Sequence, residues 1–230
     1  MTTTRGRPRL TNRRRPGSSA RDEILDAAGE LFTTRGYATT STRAIAEAVG
    51  VRQASLYHYF RTKDEILSAL LHQTVTPSLR FAERLADRDT ALSEAEQLHA
   101  LAAFDGSQLL TGRWNLGALY LLPELREARL ASFWDDRERL RLHYLRVSRS
   151  TAAEIGTGRT TPIDEDTADL PFRLVEALVN MRAARSAEHT APEGTALAER
   201  VADACLRVLG VPDEPLAAVR ARTRGLLALH

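Results

Sequence analysis

The residues from Arg52 to Tyr59 form a short run whose side chains suit the recognition of nucleic acid. Apart from Leu56, which is expected to point inward, the run is rich in hydrogen-bond donors and aromatic rings and contains no acid. Its candidate contact residues are Arg52, Gln53, Ala54, Ser55, Tyr57, His58 and Tyr59. A helix with such a face can enter the DNA major groove, with its N-terminal residues at the base edges. Taken alone, the run leaves open the alternative that Tyr57 and Tyr59 are packing residues.

Two short helices joined by a tight turn are predicted to position this run. Thr42 to Val49 carries an apolar stripe at spacings of three and four residues, which predicts the first helix. Gly50 is expected to end it, because glycine adopts the left-handed conformation without a Cβ clash. Arg52 to Tyr59 is the second helix, and Thr42 and Arg43 on the first are further candidate DNA contacts. The pattern therefore predicts a helix–turn–helix.

A preceding helix is predicted to brace these two. Ser18 or Ser19 can cap it, and its apolar face continues to about Arg35, where Gly36 is expected to end it. The three helices together would form a compact head over residues 18–63. A larger body would follow over residues 64–230.

The helix after the head is predicted to begin with a phosphate contact. Thr62 and Glu65 have the spacing of a capping box, in which the threonine caps the helix and the glutamate reaches back. Lys63 would then lie at a helix N-terminus, where backbone amides and a cation can hold one phosphate. Tyr57 is expected to provide a second phosphate contact. The helix is expected to reach about residue 85, with Pro77 kinking or breaking it.

At these residues the chain resembles the TetR family of bacterial transcriptional regulators. The resemblance covers roughly residues 20–70 and requires apolar, glycine and aromatic residues at fixed offsets. The matching motifs are Leu31-Phe32-x-x-x-Gly36-Tyr37, Thr39-Thr40-Ser41-Thr42, Ile45-Ala46, Ala48-Val49-Gly50-Val51, Leu56-Tyr57-x-Tyr59-Phe60 and Lys63-Asp64-Glu65-Ile66-Leu67. The resemblance implies a DNA-binding regulator that acts as a homodimer on a palindromic operator in double-stranded DNA.

One position departs from the family pattern. The residue after Val51 is usually a serine or threonine that caps the recognition helix, but here it is Arg52, which cannot cap. Loss of a cap costs on the order of 1 kcal/mol. Either Arg52 contacts a phosphate or base instead, or Gln53 or a water satisfies the free amides.

The composition is that of an ordinary globular chain, with 230 residues, 43% hydrophobic and 27% charged. No apolar run approaches the length of about 20 that spans a bilayer, and no signal peptide is expected, so the predicted location is the cytoplasm, on or off the nucleoid. Residues 1–63 hold twelve basic residues against five acids, and residues 64–230 hold 20 against 25. A basic head on an acidic body suggests that the head meets a polyanion.

Residues 1–17 are predicted to form a flexible basic arm. They include six arginines, two prolines and two glycines, with Leu10 as the only apolar side chain after Met1. Such a segment cannot bury enough surface to fold alone. Its Arg5-Gly6-Arg7-Pro8 run resembles arms that enter an A·T-rich minor groove. The alternative is a solvated tail without function.

The body is predicted to be entirely helical, because no sustained alternation of apolar and polar residues occurs. A capping box at Ser93 and Glu96 opens a helix that is expected to end near Gly106, and an irregular stretch follows up to a helix start at Pro123. The further helices are predicted over about 125–155, 170–186, 193–209 and 214–229, with a polar loop over 156–169. The single cysteine, Cys205, is interpreted as a buried hydrophobe, with a redox sensor as the alternative.

The late helices, about residues 170–209, are implied by the resemblance to pair with their two-fold mates in a homodimer. The first of these helices places Leu174, Val175, Leu178 and Met181 on one face. The second places Leu197, Val201, Ala204, Cys205, Val208 and Leu209 together. The alternative is that both faces are internal core. No catalytic or cofactor motif occurs, and none of the six histidines has a partner at metal-ligand spacing, so neither an enzyme nor a metal site is expected.

Large rings are concentrated in the middle of the body, where the resemblance implies a cavity for a small, largely apolar effector. The candidate ligand-binding residues are Phe81, Phe104, Trp114, Tyr120, Trp134, His143 and Tyr144. The competing interpretation is that these rings are core. The resemblance thus implies a repressor that is released by an effector, whose identity the sequence does not give. The alternative is an effector-independent or protein-partnered DNA-binding regulator with a structural or activator role.

Overall fold

The protein is helical throughout the part that the structure describes. A computed structural model describes residues 15–87, 91–121, 130–155, 163–184 and 191–227, and no strand occurs among them. The α-helices are α1 (Ala20–Arg35), α2 (Thr42–Val49), α3 (Gln53–Tyr57), α4 (Lys63–Leu85), α5 (Glu94–Thr111), α6 (Ala131–Glu154), α7 (Glu165–Ala184), α8 (Ala191–Val208) and α9 (Asp213–Leu227). A 3-10 helix covers Leu116–Leu121. The predicted all-α fold class is confirmed. None of the described helices is both long enough and apolar enough to cross a membrane.

The chain divides into two compact units, Met1–His72 and Gln73–His230. The division falls inside α4, whereas the sequence placed the boundary between Lys63 and Asp64. The predicted arm lies mostly outside the described residues. The predicted helix start at Pro123, half of the loop over 156–169, and the predicted helix ends at Ser186 and Leu229 also lie outside them.

The first unit follows its local sequence signals closely. Ser19 caps α1 through a reciprocal pair of hydrogen bonds with Asp22: the Asp22 amide donates to Ser19 Oγ at 3.2 Å, and the Ser19 amide donates to the Asp22 carboxylate at 3.1 Å. Gly36 follows the helix with a φ of 92°. The predicted inner face of α1 is buried, at Ile24, Ala27, Ala28, Leu31 and Phe32.

The turn between α2 and α3 forms around Gly50, which has the left-handed φ of 75° and ψ of 31°. Its neighbour Val51 donates its amide to the Ala46 carbonyl at 3.0 Å, which closes the turn. Leu56 and Phe60 are buried as predicted. The second helix is shorter than predicted, because α3 ends at Tyr57 and the chain turns at the next two residues.

Thr62 caps α4 as predicted, since its hydroxyl oxygen accepts a hydrogen bond from the Glu65 amide at 3.1 Å. The Glu65 carboxylate accepts from the Arg61 amide at 2.7 Å, one residue earlier than a capping box requires. Pro77 was predicted to kink or break this helix, and a break is wrong, because α4 continues through Pro77 to Leu85. A proline inside a helix costs about 3 kcal/mol. The buried residues on both sides of it, among them Val75, Leu79 and Phe81, offset this cost.

The predicted end of α5 at Gly106 is also wrong, because the helix runs on to Thr111. A Cβ atom at position 106 would lie 2.9 Å from Leu178 Cδ1 and 3.1 Å from Ala198 Cβ. Glycine therefore permits α5 to approach α7 and α8 closely. At the start of α7 the expected loop is helical from Glu165, so this helix begins five residues before the predicted residue 170.

A buried polar network joins three helices of the second unit. Asp105 on α5 accepts a hydrogen bond from the Ser78 hydroxyl on α4 at 2.7 Å, and another from the Tyr144 hydroxyl on α6 at 3.0 Å. All three residues are buried. Burial raises the pKa of Asp105 to about 6, although the two hydroxyl groups act in the opposite direction.

Because the pKa of Asp105 is higher in the folded state, the folded protein binds its proton more tightly than the unfolded chain does. Stability from this group is present at low pH and is lost as the pH rises through about 6. Relative to an Asp105→Asn variant, we expect the wild-type free energy of unfolding to fall by about 1 kcal/mol between pH 5 and pH 7.5. Urea unfolding of both proteins at the two pH values measures this difference. A pH-independent difference would contradict the prediction.

Candidate nucleic-acid interface

The face of α3 that was predicted to contact DNA is exposed. Tyr57 and Tyr59 are 44% and 48% exposed, whereas Leu56, which precedes Tyr57, is fully buried. Packing within the chain therefore does not account for these two rings. The other predicted residues of the run are exposed at Arg52, Gln53, Ala54 and His58 and half-buried at Ser55. The structure thus brings the predicted residues of the run to one region of the first unit.

Three polar side chains form a hydrogen-bond network across the turn between α2 and α3. The Gln53 amide nitrogen lies 3.1 Å from Thr42 Oγ1 and 3.3 Å from the Tyr57 hydroxyl, and these two hydroxyl groups lie 3.1 Å apart. All three residues were predicted DNA contacts, but their network was not predicted, because its members are up to 15 positions apart. Side chains ordered before binding lose less conformational entropy when they meet a ligand.

Arg52 occupies the N-cap position of α3 and makes no side-chain capping hydrogen bond, as predicted. Its backbone carbonyl accepts from the amides of Ser55 and Leu56 at 2.8 and 3.2 Å, which starts the helix without a cap. The guanidinium is exposed. Contact with a phosphate or base stays a prediction for this residue. Arg43 on α2 is also exposed and pairs with Glu47 one turn later at 2.9 Å.

Lys63 has a structural role that the sequence analysis missed. Its ammonium donates to the carbonyl oxygens of Tyr37 and Thr40 at 2.8 and 2.9 Å, and it lies 4.1 Å from the centre of the Tyr37 ring. It therefore ties the segment between α1 and α2 to the start of α4. Phosphate contact by Lys63 stays a prediction, and it would compete with these hydrogen bonds.

A Lys63→Met variant is expected to destabilise the first unit by about 1–2 kcal/mol, because hydrogen bonds from a charged donor contribute roughly 1.5–3 kcal/mol and this site is partly exposed. Hydrogen–deuterium exchange of the α2 and α3 amides measures the local stability. Arg43→Met is the matched control, since its side chain is 77% exposed. Equal exchange in the two variants would show that the Lys63 contacts add no stability.

Arg15 was assigned to the flexible arm, but it is fixed to the first unit. Its Nε donates to the Ala48 carbonyl at 3.0 Å, and its Nη1 lies 2.6 Å from Glu30 and 3.0 Å from Asp26. The signal in the sequence was the pair of acids four residues apart on α1, which offers one guanidinium two carboxylates. Arg15 therefore joins α1 to α2.

Five of the aromatic residues predicted to bind an effector pack against other aromatic rings in the second unit. Phe81 stacks on Phe104 with ring centres 4.4 Å apart, and Tyr144 packs against Phe172 at 5.5 Å. A further row of contacts joins Tyr120 to Phe133 at 5.8 Å and Phe133 to Trp134 at 5.0 Å. Phe81 and Tyr144 are buried, Trp114 and His143 are half-buried, and none of these positions by itself tests effector binding.

Comparison with known proteins shows that the first unit matches a known protein family. The family model for bacterial regulatory proteins of the TetR family matches residues 24–70. Among curated proteins, the transcriptional repressor KstR2 of Mycolicibacterium smegmatis is 34% identical over 84 residues, which cover 36% of this chain and 40% of that protein. The fatty acid metabolism regulator protein of Bacillus subtilis is 32% identical over 108 residues, which cover 47% and 54%. The chain thus spans about half, or less, of these curated relatives.

The similarity to solved structures extends over both units. The crystal structure of AmtR from Mycobacterium smegmatis is 49% identical, with a TM-score of 0.79, and the match covers 92% of this chain and 97% of that one. The structure of the ketosteroid transcriptional regulator KstR2 of Mycobacterium tuberculosis is 22% identical, with a TM-score of 0.64 and coverage of 85% and 95%. The second likeness shows the fold alone.

Proposed function

Because this chain belongs to the TetR family of bacterial transcriptional regulators, we propose that it is a DNA-binding repressor that acts from the cytoplasm on a palindromic operator. The observation that carries the proposal is the exposed, acid-free face of α3 with its network of Gln53, Thr42 and Tyr57. Such a face suits the major groove, where glutamine can pair with adenine and hydroxyl groups can meet phosphate.

The homodimer is proposed to form through α7 and α8. Leu170, Leu174, Ala177 and Met181 recur at spacings of four, three and four residues along α7, and each is at least partly exposed, although Val175 and Leu178 on the same helix are buried. An apolar stripe with this spacing is the pattern of a helix that packs on a partner helix. A two-fold dimer would place two α3 helices roughly 34 Å apart, one turn of DNA.

Release by a small, largely apolar effector at the ring cluster is the proposed mode of regulation. An effector that binds better to a conformer with a different separation of the two heads must weaken operator binding by the same coupling factor. The continuous α4, which begins at Lys63 in the first unit and ends at Leu85 in the second, would transmit the change. The burial of Phe81 and Tyr144 favours the alternative of an effector-independent regulator.

Fluorescence anisotropy titration tests DNA binding directly. The protein is titrated against a labelled duplex from upstream of its own gene and against a scrambled duplex of equal length, at two salt concentrations. We expect a preference of about a thousandfold for the first duplex. Gln53→Ala is expected to weaken specific binding about tenfold or more, because one pairing with a base contributes about 1–3 kcal/mol.

The same variant should leave binding to the scrambled duplex unchanged, since that binding depends on phosphate contacts and salt. Ala48→Ser, on the half-buried side of α2, is a control that keeps the exposed face of α3 intact. If neither duplex is bound at either salt concentration, DNA binding is excluded. If both duplexes are bound equally, sequence-specific repression at this site is excluded.

A further inference from the structure

A cleft in the second unit has the size of a small-molecule site. It has a volume of about 860 Å³ and lies between the end of α4, the start of α5 and the middle of α6. Small-molecule sites commonly measure about 300–1,000 Å³. Leu85, Leu92 and Leu142 supply apolar lining, and Leu142 is 49% exposed although it is a large hydrophobic residue.

Two opposite charges face each other in this cleft without a hydrogen bond. Glu94 on α5 and Arg146 on α6 both line it, and Arg146 Nη1 lies 3.6 Å from Glu94 Oε2. That separation is too long for a hydrogen bond. Glu94 Oε2 is buried and has no hydrogen-bond partner among the described residues. The carboxylate can therefore accept a donor, and the guanidinium can bind an acceptor.

A second acceptor without a hydrogen bond lies one turn further along α5. Gln97 lines the same cleft and is nine-tenths buried. Its Nε2 donates to the Leu92 carbonyl at 3.2 Å, whereas its Oε1 has no hydrogen-bond partner within the described part of the chain. A buried acceptor without a donor costs roughly 1–3 kcal/mol. The wall formed by α5 thus offers two oxygens that lack donors.

The wall formed by α6 carries one arginine with a weak ion pair. Arg139 also lines the cleft, but it pairs with Glu83 at 2.6 Å and with Asp136 at 3.1 Å. Burial and then the nearby Arg146 lower the pKa of His143, so the imidazole is neutral near pH 7. Of the two arginines on this wall, Arg146 therefore has the longer and weaker ion pair.

We propose that this cleft binds a small zwitterion, a molecule with a primary ammonium group, a carboxylate and an apolar side chain, such as an apolar α-amino acid. The ammonium group would donate to Glu94 and Gln97, the carboxylate would bind Arg146, and the side chain would cover the leucines. A simple anion would leave these two oxygens without hydrogen-bond donors, and a simple amine would meet the positive charge of Arg146. Of the residues predicted to bind the apolar effector, His143 alone lines this cleft.

Isothermal titration calorimetry of the full chain tests this proposal with three probes of similar size. L-Leucine carries both charged groups, 4-methylpentanoate lacks the ammonium group, and 3-methylbutylamine lacks the carboxylate. We expect saturable binding of leucine and at least about tenfold weaker binding of the other two, because each charge-assisted contact contributes more than about 1.4 kcal/mol. Absence of saturable binding of leucine up to about 10 mM would overturn the proposal.

Variants locate the site. Arg146→Gln and Glu94→Gln are each expected to weaken leucine binding at least about tenfold. Arg149→Gln is the matched control, because Arg149 lies on the same helix, is half exposed and pairs with Glu165 outside the cleft. Equal leucine binding by Arg146→Gln and Arg149→Gln would overturn the assignment. The readout involves no DNA, so failure of operator binding and failure of this site are distinguishable.

Discussion

A protein with glutamate in place of both Met181 and Val208 is expected to be a monomer of 25.5 kDa and to lose at least about a hundredfold in operator affinity. Both side chains are apolar and 38% exposed on the two helices that we propose to form the dimer. Two carboxylates brought to an apolar interface, and two more from the mate, would lose hydration without gaining partners. A monomer also loses the gain from binding two half-sites at once. Sedimentation equilibrium measures the mass, and anisotropy measures the affinity.

The control for this variant is Ala153→Glu, which adds a carboxylate at an exposed position of α6. It should remain a dimer with unchanged operator affinity. If the double variant keeps the mass of a dimer, α7 and α8 do not form the interface. If it becomes a monomer and binds the operator as tightly as the wild type, the proposed two-fold recognition is wrong.

Replacement of Gly106 by leucine is expected to destabilise the second unit by about 3 kcal/mol or more. Its Cβ alone would lie 2.9 Å from Leu178 and 3.1 Å from Ala198, and both of these residues are buried. The three further carbon atoms have no space unless α5 moves away from α7 and α8. Urea unfolding followed by circular dichroism measures the loss.

Gly225 provides the opposite case within the same unit. It lies on α9, and a Cβ there would meet nothing within 4 Å. Gly225→Ala is expected to stabilise the protein by up to about 1 kcal/mol, because alanine favours the helix more than glycine does. If leucine at position 106 is tolerated as well as alanine at position 225, close helix packing is not the reason for Gly106.

The head could be predicted in detail because its signals are local. Ser19 caps α1 and forms reciprocal hydrogen bonds with Asp22, the third residue of that helix. Gly50 adopts the left-handed conformation that the turn between α2 and α3 requires. Leu56 and Phe60 are separated by one helical turn and were correctly expected to be buried. Each of these signals involves residues within a few positions of one another. The local structure can therefore be predicted without knowledge of the tertiary contacts.

Predictions failed where a residue's role depends on distant neighbours. Gly106 and Pro77 usually end or break helices, and here both lie inside helices whose tertiary packing outweighs local propensity. The hydrogen bonds of the Lys63 ammonium to carbonyl oxygens 23 and 26 positions earlier were also not predicted, while its contact with phosphate stays a prediction. The composition of the ring cluster was clear from sequence, whereas the mutual packing of its rings was not.

The sequence by itself determined the fold class, the helix–turn–helix and the acid-free face of α3, because caps, glycines and the periodicity of apolar residues act over one or two helical turns. Only the tertiary structure decided that Gln53, Thr42 and Tyr57 form a hydrogen-bond network. It also decided that Glu94 and Gln97 each have a side-chain oxygen that accepts no hydrogen bond. Hydrogen bonding and burial depend on which elements meet in space. That pairing is set by packing across the whole unit, which no short stretch of the chain encodes.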